Sequence, residues 1–295
     1  MEKVNEVTNE STVNGGTLEV FELSMPQFED GRKRKIRVWL PKEYNPRNKC
    51  VRYPVLYMHD GQNLFDKATS FEEEWQVDES LTALFNEGYE KTIVVGIDNG
   101  ELERFRELSP EWELSDLGKQ YFDNPVGSKY AEFIMETVKP LIDQKYNTKP
   151  DRRNTGIGGS SMGGVMSLYM AIKYADRIGY GLLLSTAMLV YGQDVLDKFL
   201  AENTITKKPY LYIYSGGWLG DAPAGSVWDE TLFTQYVEKI KTSLLNAGFP
   251  CNHLKTMIDM DNYHNEISWR KVFPVAYQWC MDHKNHFHLC TNDEV

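Results

Sequence analysis

The chain has 295 residues, 41% of them hydrophobic and 25% charged, the profile of a globular protein long enough to bury about three quarters of its unfolded surface. Asp and Glu outnumber Lys and Arg by 43 to 32, and the formal charge of −11 argues against nucleic acid or anionic lipid as partners. The densest basic run, Arg32 to Lys35, is too short to reverse that and is expected to be a solvated strand edge.

Met1 to Ser11 is polar and acidic, without the apolar stretch of a secretory signal, and nothing later approaches the ~18 apolar residues of a membrane span. A soluble, cytoplasmic protein is expected. Thr17–Leu23 and Lys35–Leu40 read as an antiparallel start. Short, continuously apolar runs follow at Pro54–His59, Thr92–Ile97, Thr155–Gly158, Gly181–Ser185 and Tyr210–Ser215, the pattern of strands buried on both faces. Helical stripes lie between and after them: Tyr130, Phe133, Ile134, Val138 and Leu141; then Val165, Leu168, Tyr169 and Ile172; then Phe233, Tyr236, Val237, Ile240 and Leu244; and a last stretch over Ile267–Met281. Pro140 should kink the first of these, and Gly248 stands where a left-handed helix cap is wanted. The expected fold is α/β, a mainly parallel central sheet with helices on both faces, in one domain over residues 1–295.

Residues 101–128 fit neither period yet carry Phe105, Trp112, Tyr121 and Phe122. They are expected to form an ordered excursion over the C-terminal edge of the sheet, where such folds bind ligands. Cys50, Cys251, Cys280 and Cys290 form no CxxC pair and read as free thiols. His283, His286, His288 and Cys290 are metal-ligand types without a supporting turn, so they are assigned to a polar tail over residues 282–295, and neither metal nor cofactor is expected.

The sharpest motif is Gly159-Ser160-Ser161-Met162-Gly163-Gly164, a G-x-S-x-G pattern between a short apolar strand and a helical stripe. That context is the strand-to-helix turn that lifts a nucleophilic serine above a sheet edge. A dinucleotide fingerprint is excluded because its third glycine would fall where Ser161 stands. A serine hydroxyl needs a base and an orienting carboxylate. His264, in a polar loop before the last helix, is the expected base, with His59 and His253 as rivals. Asp221 is the first carboxylate after the strand Tyr210–Ser215 and the expected acid, with Asp229 and Glu230 as alternatives. The N–H groups of Met162 and Gln62 are the expected oxyanion donors, Asn63 being second choice to Gln62. Trp218, Asp60 and Trp112 are candidate substrate contacts, the aromatics offering flat faces to a hydroxycinnamoyl group or a sugar ring.

Four segments together, Tyr57-Met58-His59-Asp60-Gly61-Gln62-Asn63-Leu64-Phe65, Gly96-Ile97-Asp98-Asn99-Gly100, Gly159–Gly164 and His264-Asn265-Glu266 with Trp269, resemble the esterase branch of the α/β-hydrolases. That branch holds enterochelin-type esterases, esterase D, and feruloyl and acetylxylan esterases. The resemblance spans roughly residues 50–280 and implies Ser161 as nucleophile and His264 as base. It departs at the acid, where relatives carry a shorter Gly-Thr-x-Asp/Glu turn and this chain interposes Trp218, Leu219 and Gly220. The activity implied is hydrolysis of a small-molecule or saccharide ester through an acyl-enzyme. Acyl transfer by the same triad, or a non-catalytic binding module, are the alternatives.

Overall fold

The computed structural model describes residues 11–218 and 230–284. Its strands are β1 (Gly16–Ser24), β2 (Lys33–Pro41), β3 (Val55–His59), β4 (Ile93–Ile97), β5 (Thr155–Ser160), β6 (Tyr180–Leu184), β7 (Tyr210–Trp218) and β8 (Leu254–Tyr263). The helices are α1 (Val77–Asn86), α2 (Arg104–Glu107), α3 (Gly127–Glu132), α4 (Lys139–Lys145), α5 (Met162–Lys173), α6 (Val195–Glu202), α7 (Glu230–Asn246) and α8 (Glu266–Lys284). All eight strands join one sheet in the order β1-β2-β4-β3-β5-β6-β7-β8, antiparallel at β1–β2 and β2–β4 and parallel from β4 to β8. This is the α/β-hydrolase arrangement that the sequence leads one to expect.

The continuously apolar strands follow from two covered faces. Val55 and Tyr57 of β3 enter a core with α3 to α7, while Leu56 and Met58, one residue out of step, enter a second core with α1 and α8. Leu211 and Ile213 of β7 divide from Tyr210, Tyr212 and Tyr214 in the same way. Before Pro140 the helix forms a π-turn over Phe133–Val138, because the proline has no N–H with which to continue the regular ladder. Gly248 caps α7 at φ 79°, its N–H donating to the Leu245 carbonyl at 2.9 Å. Among the described residues no helix is long and apolar enough to cross a membrane.

The Arg32–Lys35 run corrects the expectation of a solvated edge. β2 lies inside the sheet, with β1 outside it, and Arg34 is buried with its Nη2 donating to both carboxylate oxygens of Glu107 at 2.8 and 2.7 Å. Arg32 donates to Glu107 as well, at 2.7 Å, and Arg37 pairs with Asp98. Glu107 comes from the 101–128 excursion and pairs with Arg32 and the buried Arg34, while Lys33 stays exposed.

The loop after β3 is anchored by carboxylates. Asp66 accepts the Ser11 hydroxyl at 2.7 Å, and the buried Asp78 accepts the Asn14 N–H at 2.6 Å. Glu74, Asp78 and Glu79 crowd together with no ion pair to any of them among the described residues. Burial first, then the neighbouring Glu79, raises Asp78 well above the ordinary carboxylate range and favours its protonated form. An acid raised on folding contributes stability that is full below its unfolded value and is lost as pH climbs toward the folded one, by up to ~1.4 kcal/mol per pH unit for one proton. Asp78→Asn mimics the protonated carboxyl without titrating. Unfolding by urea at pH 5 to 8 should show the variant gaining on the parent with each unit; parallel profiles would refute the buried proton.

Candidate active site

Ser161 stands between β5 and α5 at φ 55° and ψ −119°, a conformation that side-chain-bearing residues rarely adopt. Its surroundings hold it there. The Ser161 N–H donates to the Leu184 carbonyl at 3.0 Å, and the Ser161 carbonyl accepts from Gly164, Val165 and Ala187 at 3.1, 3.2 and 3.2 Å. The chain crosses itself so closely that a Cβ on Gly159 would stand 2.9 Å from the Gly163 carbonyl. Met162 opens α5, so its N–H is one of the donors a helix start leaves unpaired.

The second loop at this edge follows β3. Asp60 adopts a left-handed conformation, φ 56° and ψ 47°, and leads into a single 3₁₀ turn over Gly61–Asn63. Gln62 is fixed at two points, its Oε1 accepting the Asn99 N–H at 3.1 Å and its carbonyl accepting the Thr69 hydroxyl at 2.7 Å. Gln62, Ser161 and His264 line one cleft of about 1290 Å³, together with Asp60, Arg104, Glu266 and Trp269.

His264 follows β8 and precedes α8. Its ring packs between Phe233 and Trp269, with centroids 4.4 and 5.1 Å away, and Trp269 is itself pinned by donating from Nε1 to the Ser185 hydroxyl at 3.0 Å. Desolvation here, and secondarily the charge of Arg104, push His264 down to about 3. The imidazole is therefore neutral at neutral pH, as a general base must be. Its Nδ1 is buried and has no hydrogen-bond partner among the described residues.

The rival histidines are occupied elsewhere. His59 is buried beneath the serine turn, its Nδ1 3.0 Å from the Tyr130 hydroxyl, and burial lowers it to about 4. His253 packs its ring on Tyr210, with Nδ1 3.0 Å from the Lys208 carbonyl oxygen. Asp221 and Asp229 lie outside the described residues, as do His286, His288 and Cys290; Trp218 and Glu230 are described only as the end of β7 and the start of α7.

Trp112 is not among the residues lining the cleft. Its ring is taken up by Tyr169, Tyr191 and Phe199 at 5.9, 5.3 and 5.1 Å, because the middle of the excursion packs onto α5 and α6. The Asp60 carboxylate does line the cleft, with both oxygens engaged by Arg104 and Asn99. Three apolar side chains that line the cleft are solvent-exposed instead: Phe71 at 84%, Leu102 at 96% and Phe105 at 38%. The sequence analysis gave no role to Phe71, Leu102 and Arg104, and it quoted Asn99 and Glu266 only within the segments that carry the resemblance. The usable signal was position, since Asn99 to Phe105 follow the carboxyl end of β4, next to β3 in the sheet.

The sequence profile of the family described as "Putative esterase" matches residues 29–260, most of the chain. The chain belongs to this esterase family. The match includes the Gln62 turn and Ser161, and His264 lies just beyond its end. Among curated proteins, the chain is similar to an endo-1,4-beta-xylanase/feruloyl esterase of Xylanibacter ruminicola, 23% identical over 243 residues, and to the uncharacterized protein YbbA of Bacillus subtilis, 24% identical over 157 residues. These alignments cover 82% and 53% of this chain but only 28% and 57% of the relatives. In fold it resembles the siderophore hydrolase EstA of Aspergillus nidulans, with TM-score 0.70, 16% identity and coverage of 90% of this chain and 94% of that one. A CE1 ferulic acid esterase of Anaeromyces mucronatus gives TM-score 0.64 and 18% identity over 95% of this chain and 97% of that one.

Proposed function

We propose that this member of the esterase family hydrolyses carboxylic esters through a serine acyl-enzyme. The observation that carries the reading is one cleft holding Ser161 on a strained turn and a buried, neutral His264, whose Nδ1 has no hydrogen-bond partner among the described residues. In this mechanism His264 removes the proton as Ser161 Oγ attacks the ester carbonyl. The tetrahedral oxyanion is met by the N–H groups of Met162 and Gln62, each such donor being worth about 10²–10³ in rate. His264 then gives the proton to the departing alcohol, and a water activated by the same imidazole releases the acid. An acceptor for Nδ1 holds the imidazole in the working tautomer, and Asp221 is assigned that role ahead of Asp229 and Glu230.

The substrates are proposed to be hydroxycinnamoyl esters or acylated saccharides. Phe71, Leu102 and Phe105 support this: apolar side chains left exposed along a cleft suit the flat face of an aromatic acid or a sugar ring. The words feruloyl and ferulic acid esterase in the names of a relative and a structural neighbour point the same way.

A fluorophosphonate should modify the protein at Ser161, located by peptide mapping. In an ester panel, feruloyl or acetylated-sugar esters should outrun long-chain aliphatic esters, and Phe71→Ala should lower kcat/KM about three- to tenfold more on the feruloyl ester than on p-nitrophenyl acetate. Modification elsewhere sinks the nucleophile, and a preference for long acyl chains sinks the substrate class.

A further inference from the structure

Beside Ser161 lies an ion pair that the chemistry above does not use. The Asp60 carboxylate accepts from Arg104 Nε at 2.6 Å and Nη2 at 2.8 Å, and from Asn99 Nδ2 at 2.7 Å. It is 6% exposed, and its Oδ2 lies 3.4 Å from where a Cβ on Gly163 would stand, against the first turn of α5. Asp60 thus touches both halves of the proposed oxyanion site: its backbone bends the chain into the Gln62 turn, and its carboxylate abuts the turn carrying Met162.

Two consequences follow. The left-handed region is uncommon for residues with a side chain, though aspartate enters it more readily than most, and contacts fix which conformation is kept. Here the guanidinium fork holds the side chain, while Asn99 donates from Nδ2 to the Asp60 carboxylate and from its backbone N–H to the Gln62 side-chain Oε1. The turn is also packed tightly against β4, since a Cβ on Gly61 would meet the Gly96 backbone at 2.7 Å. The second consequence is electrostatic. A bare carboxylate in this position would repel the negative charge that grows on the substrate oxygen, and a paired one does so far less.

Building on the serine reading, we infer that Arg104 is a positioning residue for the transition state: through Asp60 it fixes the Gln62 turn and neutralises the carboxylate beside the oxyanion. Such a role acts on the transition state more than on bound substrate.

The test uses the whole protein with p-nitrophenyl acetate, a small uncharged ester, and an alkyl boronic acid, which adds to a nucleophilic serine to give a tetrahedral anion. Arg104→Met should lower kcat ten- to a hundredfold and weaken boronate binding in parallel, with KM within threefold of the parent. Arg104→Lys should recover part of the loss, and Asn99→Ala should lower kcat about fivefold. A folded Arg104→Met variant with parental kcat and boronate affinity overturns the inference, as does a change confined to KM. Should Arg104→Met fail to fold with an unpaired Asp60 carboxylate, the Asp60→Asn/Arg104→Met pair removes that charge and should show the positioning loss alone, a smaller fall in kcat with KM within threefold; parental kcat and boronate affinity in that folded pair overturn the inference. Fluorophosphonate labelling of the parent keeps the two ideas apart. An unlabelled Ser161 overturns the serine reading and this inference with it, whereas a labelled parent whose Arg104 variants keep parental kcat overturns the inference alone.

Discussion

Ser161→Ala is expected to leave a folded protein whose turnover of p-nitrophenyl acetate falls by about 10⁴-fold or more. The size follows from chemistry: without Oγ no acyl-enzyme forms, and only the oxyanion donors and substrate binding are left to accelerate direct attack by water. Folding survives because the backbone bonds of residue 161, to Leu184, Gly164, Val165 and Ala187, do not involve the hydroxyl. Alanine also inherits the same φ of 55°, so the strain is unchanged. Circular dichroism and the unfolding midpoint should match the parent, and turnover within tenfold of it would remove Ser161 from the mechanism.

His264→Ala should be nearly as damaging, because it removes the only group assigned to take the serine proton and later to activate water. Its partner is found by substitution. Asp221→Asn should lower kcat severely, since an asparagine at that point no longer stabilises the imidazolium or fixes its tautomer. Asp229→Asn and Glu230→Gln should stay within a few-fold of the parent. If either of these abolishes turnover while Asp221→Asn does not, the acid has been assigned to the wrong carboxylate. Near-normal rates in His264→Ala would remove His264 from the mechanism.

Much of the architecture was legible because the strands are short and apolar on both faces, a pattern only a doubly covered sheet satisfies. The serine turn was legible for a local reason: a Cβ on Gly159 would stand 2.9 Å from the Gly163 carbonyl, and one on Gly163 would press the His59 side chain at 3.2 Å. What could not be read from local pattern was set by contacts between distant segments. The Arg32–Lys35 run looks solvated until Glu107, from the irregular excursion, folds onto Arg34 and Arg32. Trp112 and Phe105 look alike as exposed aromatics of one loop, yet Phe105 lines the cleft and Trp112 is absorbed by Tyr169, Tyr191 and Phe199. Arg104 carried no signature, because its importance lies in a fork onto Asp60, 44 positions earlier in the chain.

The cover over one face of the sheet has a bearing on how the chain assembles during synthesis. Leu56 and Met58 of β3, Val94 of β4, Leu182 and Leu184 of β6 and Tyr212 of β7 are sealed by α1 and by α8, which follows all eight strands. While translation proceeds, the sheet can form and the opposite face can be covered by α3 to α7, but this face waits for α8 to leave the ribosome. The Tyr277–Thr92 bond at 2.5 Å and the bond from Arg270 to the Glu74 carbonyl at 2.7 Å close contacts separated by 185 and 196 residues. Such long closures come late in folding. An apolar face is therefore left uncovered until α8 has been made, and deleting α8 is expected to expose Leu56, Met58, Val94, Leu182, Leu184 and Tyr212 together.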